Sequence, residues 1–236
     1  MRPIADPARV VEVSTGRDLA RYIDHTVLKP DTGLREIERC CSEALTHGFA
    51  AVCVNGVHVP AASRLLSGSR VAACAVIGFP LGAMSTRAKV AEAHDAIDCG
   101  AREVDMVLDI GALKDGDPAT VGRDIAAVRE ACAGVVLKVI LETCLLTDAE
   151  KRLACQIAQD AGADFVKTST GFGAAGATVA DVAMMRGCVG DAMGVKASGG
   201  VRTSEDAQRM IAAGASRIGA SASVAIVACR QFSQEG

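Results

Sequence analysis

Along this chain short apolar runs alternate with longer amphipathic stretches, and the join between them repeats. Four times a helix-like stretch ends on glycine and an apolar run follows within a few residues. The four are Gly48-Phe49-Ala50-Ala51-Val52-Cys53-Val54, Gly100-Ala101-Arg102-Glu103-Val104-Asp105-Met106-Val107, Gly162-Ala163-Asp164-Phe165-Val166-Lys167 and Gly214-Ala215-Ser216-Arg217-Ile218-Gly219. Glycine just past a helix supplies the left-handed residue that closes it, after which a strand can begin. Helix starts are as plain. The pairs Thr147 and Glu150, Thr178 and Asp181, and Thr203 and Asp206 each have capping-box spacing, ahead of apolar residues at helical intervals.

The pattern predicts strands over 23–28, 50–55, 71–79, 103–109, 135–142, 164–169, 194–198 and 217–220. It predicts helices over roughly 34–47, 58–67, 85–99, 118–132, 148–161, 178–187, 203–213 and 222–230. Strands alternating with helices imply right-handed crossovers and a parallel sheet. Eight such units in 236 residues fit the α/β class as a (β/α)8 TIM barrel, a single domain over 1–236 with a short N-terminal extension. A doubly wound open sheet would usually have fewer strands, and no Gly-x-Gly-x-x-Gly turn follows the first one.

Composition narrows the picture. Half the residues are hydrophobic, but only 3% are aromatic and tryptophan is absent, so the core must be built from Val, Ile, Leu, Ala and Met. A net charge of −3 gives no electrostatic footprint for nucleic acid. No apolar run approaches the ~18 residues of a membrane span, and Met1 to Val13 lacks the apolar centre of a signal peptide. The expectation is a soluble, cytoplasmic protein without a membrane partner. Its ten cysteines are scattered without a Cys-x-x-Cys pair, as expected of buried thiols in a reducing compartment. His25, His47, His58 and His94 show no metal-ligand spacing, so neither a metal nor a cofactor is expected.

Candidate chemistry comes from three lysines. Lys138, Lys167 and Lys196 recur at a constant interval of 29 residues, each inside a strand-like apolar run. Lysine is rarely buried without a partner. On the predicted barrel the three occupy equivalent places on strands five, six and seven, near the C-terminal strand ends where barrel active sites form. Like charges gathered in a poorly hydrated cavity disfavour protonation, so the expected lysine has its pKa lowered from ~10.4 toward neutrality. An unprotonated lysine can attack a carbonyl and form a Schiff base, an electron sink for breaking a neighbouring C–C bond. Lys167, flanked by the other two, is the expected nucleophile. Strand four alternates so that Glu103, Asp105, Val107 and Asp109 share one face, which makes Asp105 either a salt-bridge partner or a general acid/base.

Three glycine-rich loops follow strands six to eight: Ser169-Thr170-Gly171-Phe172-Gly173, Ser198-Gly199-Gly200-Val201-Arg202 and Gly219-Ala220-Ser221-Ala222-Ser223. Barrels commonly bind phosphate on exposed backbone N–H groups after strands seven and eight. Together with the lysines, the loops favour a phosphorylated carbonyl substrate. A transaldolase-like enzyme, a sugar isomerase and a silent sugar-phosphate sensor stay open at this point. The sensor would need the loops but no nucleophile, and the isomerase would leave the lysines unexplained.

Five motifs carry a family resemblance: Asp24-His25-Thr26-Val27-Leu28-Lys29-Pro30, Glu103-Val104-Asp105-Met106-Val107, Lys138-Val139-Ile140-Leu141-Glu142-Thr143, Phe165-Val166-Lys167-Thr168-Ser169-Thr170-Gly171-Phe172 and Val195-Lys196-Ala197-Ser198-Gly199-Gly200-Val201-Arg202-Thr203. From about residue 17 to 230 the chain resembles the deoxyribose-phosphate aldolases. The resemblance implies a class I aldolase that cleaves 2-deoxy-D-ribose 5-phosphate to D-glyceraldehyde 3-phosphate and acetaldehyde. It implies Lys167 as the Schiff-base lysine, Lys196 as the group that depresses its pKa, and Asp105 as the proton relay, with Lys138 and Asp24 completing a polar network. Cys53 matches a pocket cysteine, with filling space as its expected role. Thr170, Gly171, Gly199, Gly200, Gly219 and Ser221 are expected to bind substrate around the phosphate. Some relatives have a C-terminal tyrosine tail, which Gln231 to Gly236 lacks. Some have lysine in place of Phe172 and serine in place of Ala222, so phosphate binding here should lean on backbone N–H groups. An exposed barrel flank would suit a homodimer.

Overall fold

A computed structural model describes residues 16–228. Eight parallel strands close in sequence order into a barrel: β1 (Ile23–Val27), β2 (Ala51–Asn55), β3 (Ala72–Ile77), β4 (Glu103–Val107), β5 (Val136–Ile140), β6 (Phe165–Lys167), β7 (Gly194–Ser198) and β8 (Arg217–Ala220), with β8 paired back to β1. Around it run α1 (Gly16–Ala20), α2 (Leu34–His47), α3 (Val59–Leu65), α4 (Thr86–Asp98), α5 (Ile110–Lys114), α6 (Pro118–Ala131), α7 (Asp148–Asp160), α8 (Val179–Val189), α9 (Ser204–Ala212) and α10 (Ser223–Ala228). The N-terminal extension, the C-terminal tail and the last two residues expected in the final helix lie outside the described residues. Among those residues no helix is long and apolar enough to cross a membrane.

The predicted punctuation is present. Gly48, Gly100, Gly162 and Gly214 all have left-handed φ, between 70° and 110°. Thr147 and Thr203 form complete capping boxes with Glu150 and Asp206. Thr178 accepts the Asp181 N–H, but the Asp181 carboxylate turns instead to Lys151 at 2.6 Å.

Strand ends differ from expectation for local reasons. β3 stops at Ile77 because Gly78 turns to φ 59°, and its N–H donates to the Glu92 carboxylate at 2.6 Å. β4 stops at Val107 because Asp109 becomes the N-cap of α5 and accepts the Ala112 N–H. Neither α1 nor α5 was expected; each has five residues, too few for a periodic signal.

Strand residues alternate between two environments. One face, with Val52, Val54, Val104, Met106, Val139, Val166, Val195 and Ile218, packs under the helices in a continuous apolar core. The other face fills the barrel and splits in two. Its β2–β3 side is apolar, with Ala51, Cys53, Ala72, Cys74 and Val76. Its remaining side is charged, with Asp24, Glu103, Asp105, Lys138, Lys167, Lys196 and Arg217 joined by ion pairs between both adjacent and non-adjacent strands.

Candidate active site

Strand register brings the charges together. Lys167 lies level with Lys196, Asp105 with Lys138, and Lys196 with Arg217, so each pair projects to the same side. Closure does the rest, aiming β4 carboxylates at β7 and β8 cations. Gly219 leaves the room required: a Cβ there would sit 3.1 Å from Lys196 Cε and 2.9 Å from Ser198 Cβ. A Cβ on Gly194 would overlap the Phe165 ring, over which the Arg217 guanidinium lies at 5.5 Å.

Asp105 is the hub. Its Oδ1 accepts from Lys138 Nζ at 2.7 Å, while its Oδ2 accepts from Lys167 Nζ at 2.8 Å and Lys196 Nζ at 2.7 Å. Asp24 lies 2.5 Å from Lys196, 3.6 Å from Lys138 and 2.6 Å from Arg217. Glu103 lies 2.6 Å from Lys138 and 3.1 Å from Arg217. Among the described residues, four basic side chains therefore share three carboxylates. Lys167 has the fewest ionic contacts of the four.

The expected crowding of bare like charges is corrected here, because carboxylates lie between the lysines. Burial opposes the charge of Lys196, but Asp105 and Asp24 outweigh it and hold its pKa above the ordinary value. Lys138 is held well above by Asp105 in the same way, with help from Cys74, Asp24 and Glu103. Burial would push Asp105 up, yet the three ammonium groups hold it well below the usual carboxylate range. Asp24 is lowered too, with burial again outweighed by Lys196, Lys138 and Arg217. Lys138 and Lys196 also sit mid-strand rather than at the expected strand ends. Lys167 alone of the three closes its strand.

That placement matters because a cavity of about 540 Å³ opens above the cluster, between the loops that follow β1, β6, β7 and β8. Lys167 is the one cluster member in its lining. Thr170, Gly171, Gly199, Gly200, Gly219 and Ser221, expected to bind substrate, all border the cavity. Gly171, Gly199 and Gly200 have φ of 86°, 83° and 81°, a left-handed conformation that only glycine adopts freely. Their N–H groups donate to no backbone acceptor among the described residues. Asp24 and Cys53, expected to bind substrate, are fully buried and outside the lining. Cys53 faces Cys74 across β2 and β3, filling the apolar side of the barrel.

Cys53, Cys74 and Asp105 bring ligand-type atoms within 4.8 Å of one another. The Lys138 ammonium already occupies the place a metal would take, 2.7 Å from Asp105 Oδ1 and 3.4 Å from Cys74 Sγ. A cation of the chain itself thus meets two of the three donors.

Sequence reading missed Arg217, which lies off the lysine interval at the first residue of β8. It placed Glu103 on the correct face but outside the site. It also missed His25, whose Nδ1 lies 2.9 Å from Ser223 Oγ and whose Nε2 lies 2.7 Å from Glu43. Ser223 donates in turn to the Ala220 carbonyl, tying down the loop after β8. Phe172 meets Phe79 edge to face at 5.4 Å, a contact between the loops after β6 and β3.

Comparison with known proteins agrees with this geometry. The model of the DeoC/LacD family of aldolases matches residues 19–229. A deoxyribose-phosphate aldolase of Rhodospirillum rubrum is 59% identical over 225 residues, covering 95% of this chain and 94% of that protein. Deoxyribose-phosphate aldolase 1 of Bacillus licheniformis is 60% identical over 212 residues, covering 89% and 95%. The tetrameric deoxyribose-phosphate aldolase structure from Aeropyrum pernix superposes with a TM-score of 0.86 at 35% identity, covering 92% of this chain and 93% of that one. With a family match across nearly the whole described barrel, and with Lys167 of the buried cluster bordering the cavity, the chain belongs to the DeoC/LacD aldolase family.

Proposed function

We propose that the protein is a deoxyribose-phosphate aldolase, a class I lyase that reversibly cleaves 2-deoxy-D-ribose 5-phosphate to D-glyceraldehyde 3-phosphate and acetaldehyde. The observation that carries this reading is Lys167, which borders the cavity and whose Nζ lies 2.8 Å from a carboxylate already shared by two other lysines.

In this mechanism the neutral Lys167 amine attacks the C1 aldehyde of the open-chain sugar, and loss of water gives the imine. Removal of the C3 hydroxyl proton breaks the C2–C3 bond, and its electron pair moves into the iminium to form an enamine. Glyceraldehyde 3-phosphate leaves. Protonation at C2 and hydrolysis of the imine release acetaldehyde and restore Lys167. Asp105 exchanges protons at Lys167 Nζ and, through cavity water, takes the C3 hydroxyl proton and returns a proton to C2 of the enamine. Lys196 and Lys138, kept charged by their carboxylates, hold Asp105 ionised and in place.

For the phosphate we assign the N–H groups of Gly171, Gly199 and Gly200 and the turn at Gly219 and Ser221. Lys29 and Arg202 also border the cavity and supply positive charge where Phe172 does not. A homodimer in the cytoplasm completes the proposal; nine free cysteines among the described residues suit a reducing compartment.

The test couples the released acetaldehyde to an alcohol dehydrogenase and NADH. Consumption of NADH that requires both enzyme and 2-deoxyribose 5-phosphate is expected. A folded protein that produces no acetaldehyde would turn the reading toward a sugar-phosphate binder.

A further inference from the structure

Glu142 is the one non-glycine residue with left-handed φ among those described, at φ 55° and ψ 63°. It lies just past β5 and is 3% exposed. Its hydrogen-bond partners are all neutral: the hydroxyl of Thr170, the Thr170 N–H at 3.4 Å and the Cys144 thiol at 3.8 Å. Two unfavourable choices thus fall on one residue, a strained backbone and a buried carboxylate with no cation among the described residues. Glycine or asparagine would hold the same turn more easily.

Both choices serve the loop after β6. Thr170, gripped by Glu142, uses its Oγ1 to accept the Phe172 N–H at 3.0 Å, so the carboxylate fixes the residues on either side of Gly171. The loop also packs directly on the clamp. A Cβ on Gly173 would lie 3.2 Å from Glu142 Cδ and 3.1 Å from Cys144 Sγ. The Thr143 N–H donates to the Thr168 carbonyl at 2.9 Å and ties the two strand ends together beside it.

We propose that Glu142 is a positioning residue for the phosphate end of the substrate: through Thr170 it presets the loop of residues 169–173, so that the Gly171 N–H faces the cavity before substrate arrives. This rests on the proposed phosphorylated substrate. It assigns Glu142 no part in the covalent steps, because Glu142 is absent from both the cavity lining and the lysine cluster. Preorganised donors bind without the cost of ordering, so their loss appears in KM.

The test compares Glu142→Gly, Glu142→Gln, Thr170→Val and the Glu142→Gly/Thr170→Val double variant on 2-deoxyribose 5-phosphate and on unphosphorylated 2-deoxyribose. Glu142→Gly should raise KM for the phosphorylated sugar about tenfold, the scale of one charge-assisted hydrogen bond, with kcat changed less than about threefold. KM for the unphosphorylated sugar should stay near wild type. Glu142→Gln keeps one acceptor oxygen and should recover part of the loss. Adding Thr170→Val to Glu142→Gly should cost little more, since the two residues act as one clamp. Equal losses on both sugars, a fall in kcat alone, or additive effects in the double variant would overturn the proposal. Should Glu142→Gly not fold, Glu142→Gln decides: an unchanged KM for the phosphorylated sugar overturns the clamp. A wild-type enzyme indifferent to the phosphate removes the substrate reading itself; a wild-type preference kept by every variant removes the clamp alone.

Discussion

Two groups of charge are buried in this protein, and they are built differently. Between α4 and α6, Lys89 and Asp124 form a closed pair, 2.6 Å apart and 0% and 3% exposed. One cation meets one anion, and neither borders the cavity. In the barrel, four basic side chains share three carboxylates, and one of them reaches the cavity. The first group is balanced in charge, although the second Asp124 oxygen has no hydrogen-bond partner among the described residues. The second has more basic groups than carboxylates and an opening, which is what a lysine needs if it is to exchange a proton and meet a carbonyl. Burial alone does not mark a reactive group; incomplete pairing at a cavity wall does.

The comparison breaks most sharply at Lys167. Lys167→Leu should lower aldol cleavage by at least about 10^4-fold while circular dichroism and the melting transition stay close to wild type. Activity within tenfold of wild type would remove the difference between the two groups.

Asp105→Asn and Asp124→Asn form the next pair. Each strips a buried lysine of its carboxylate and should cost about 3–5 kcal/mol in urea unfolding. Only Asp105→Asn should also reduce kcat, by about 10^2- to 10^4-fold. Equal kinetic losses in both variants would mean that the barrel cluster is merely structural.

Acid sharpens the comparison further. Asp24 and Asp105 titrate below their ordinary values in the folded chain, so below about pH 4 the unfolded chain binds protons that the folded chain refuses. Stability should therefore fall as pH drops from about 4 toward 2, and more gently in Asp105→Asn. Urea midpoints across that range check the slopes, and parallel slopes would contradict the shared-carboxylate account.

The smallest effect comes from replacing the closed pair outright. Lys89→Met with Asp124→Leu removes both charges at similar volume and should leave stability unchanged or raise it by about 1–4 kcal/mol, with kcat unaffected. Lost activity would tie that pair to the chemistry.

Much of the barrel was legible because its signals are local or periodic. Helix-stop glycines, capping threonines and the 29-residue lysine interval need only neighbouring residues or a ruler. The site was legible as far as its periodicity ran, through Lys138, Lys167 and Lys196, and through Asp105 by strand alternation. What escaped depends on closure. Arg217 reaches Glu103 across 114 residues, and no local pattern announces that contact. Lys89 reads as one more helix lysine, because its partner lies 35 residues away on another helix. Glu142 reads as the end of a strand, because a left-handed turn on glutamate has no sequence signature. Asp105 itself was legible, but that one carboxylate meets all three lysines depends on closure, and that sharing replaces mutual repulsion with neutralisation.

The central claim is that Lys167 alone of the buried lysines forms the covalent bond. Incubation with 2-deoxyribose 5-phosphate and sodium borohydride, followed by peptide mass mapping, tests it directly. The account predicts a stable reduced adduct on Lys167 and none on Lys89, Lys138 or Lys196. An adduct on another of these lysines, or none on a folded and substrate-saturated sample, would contradict it.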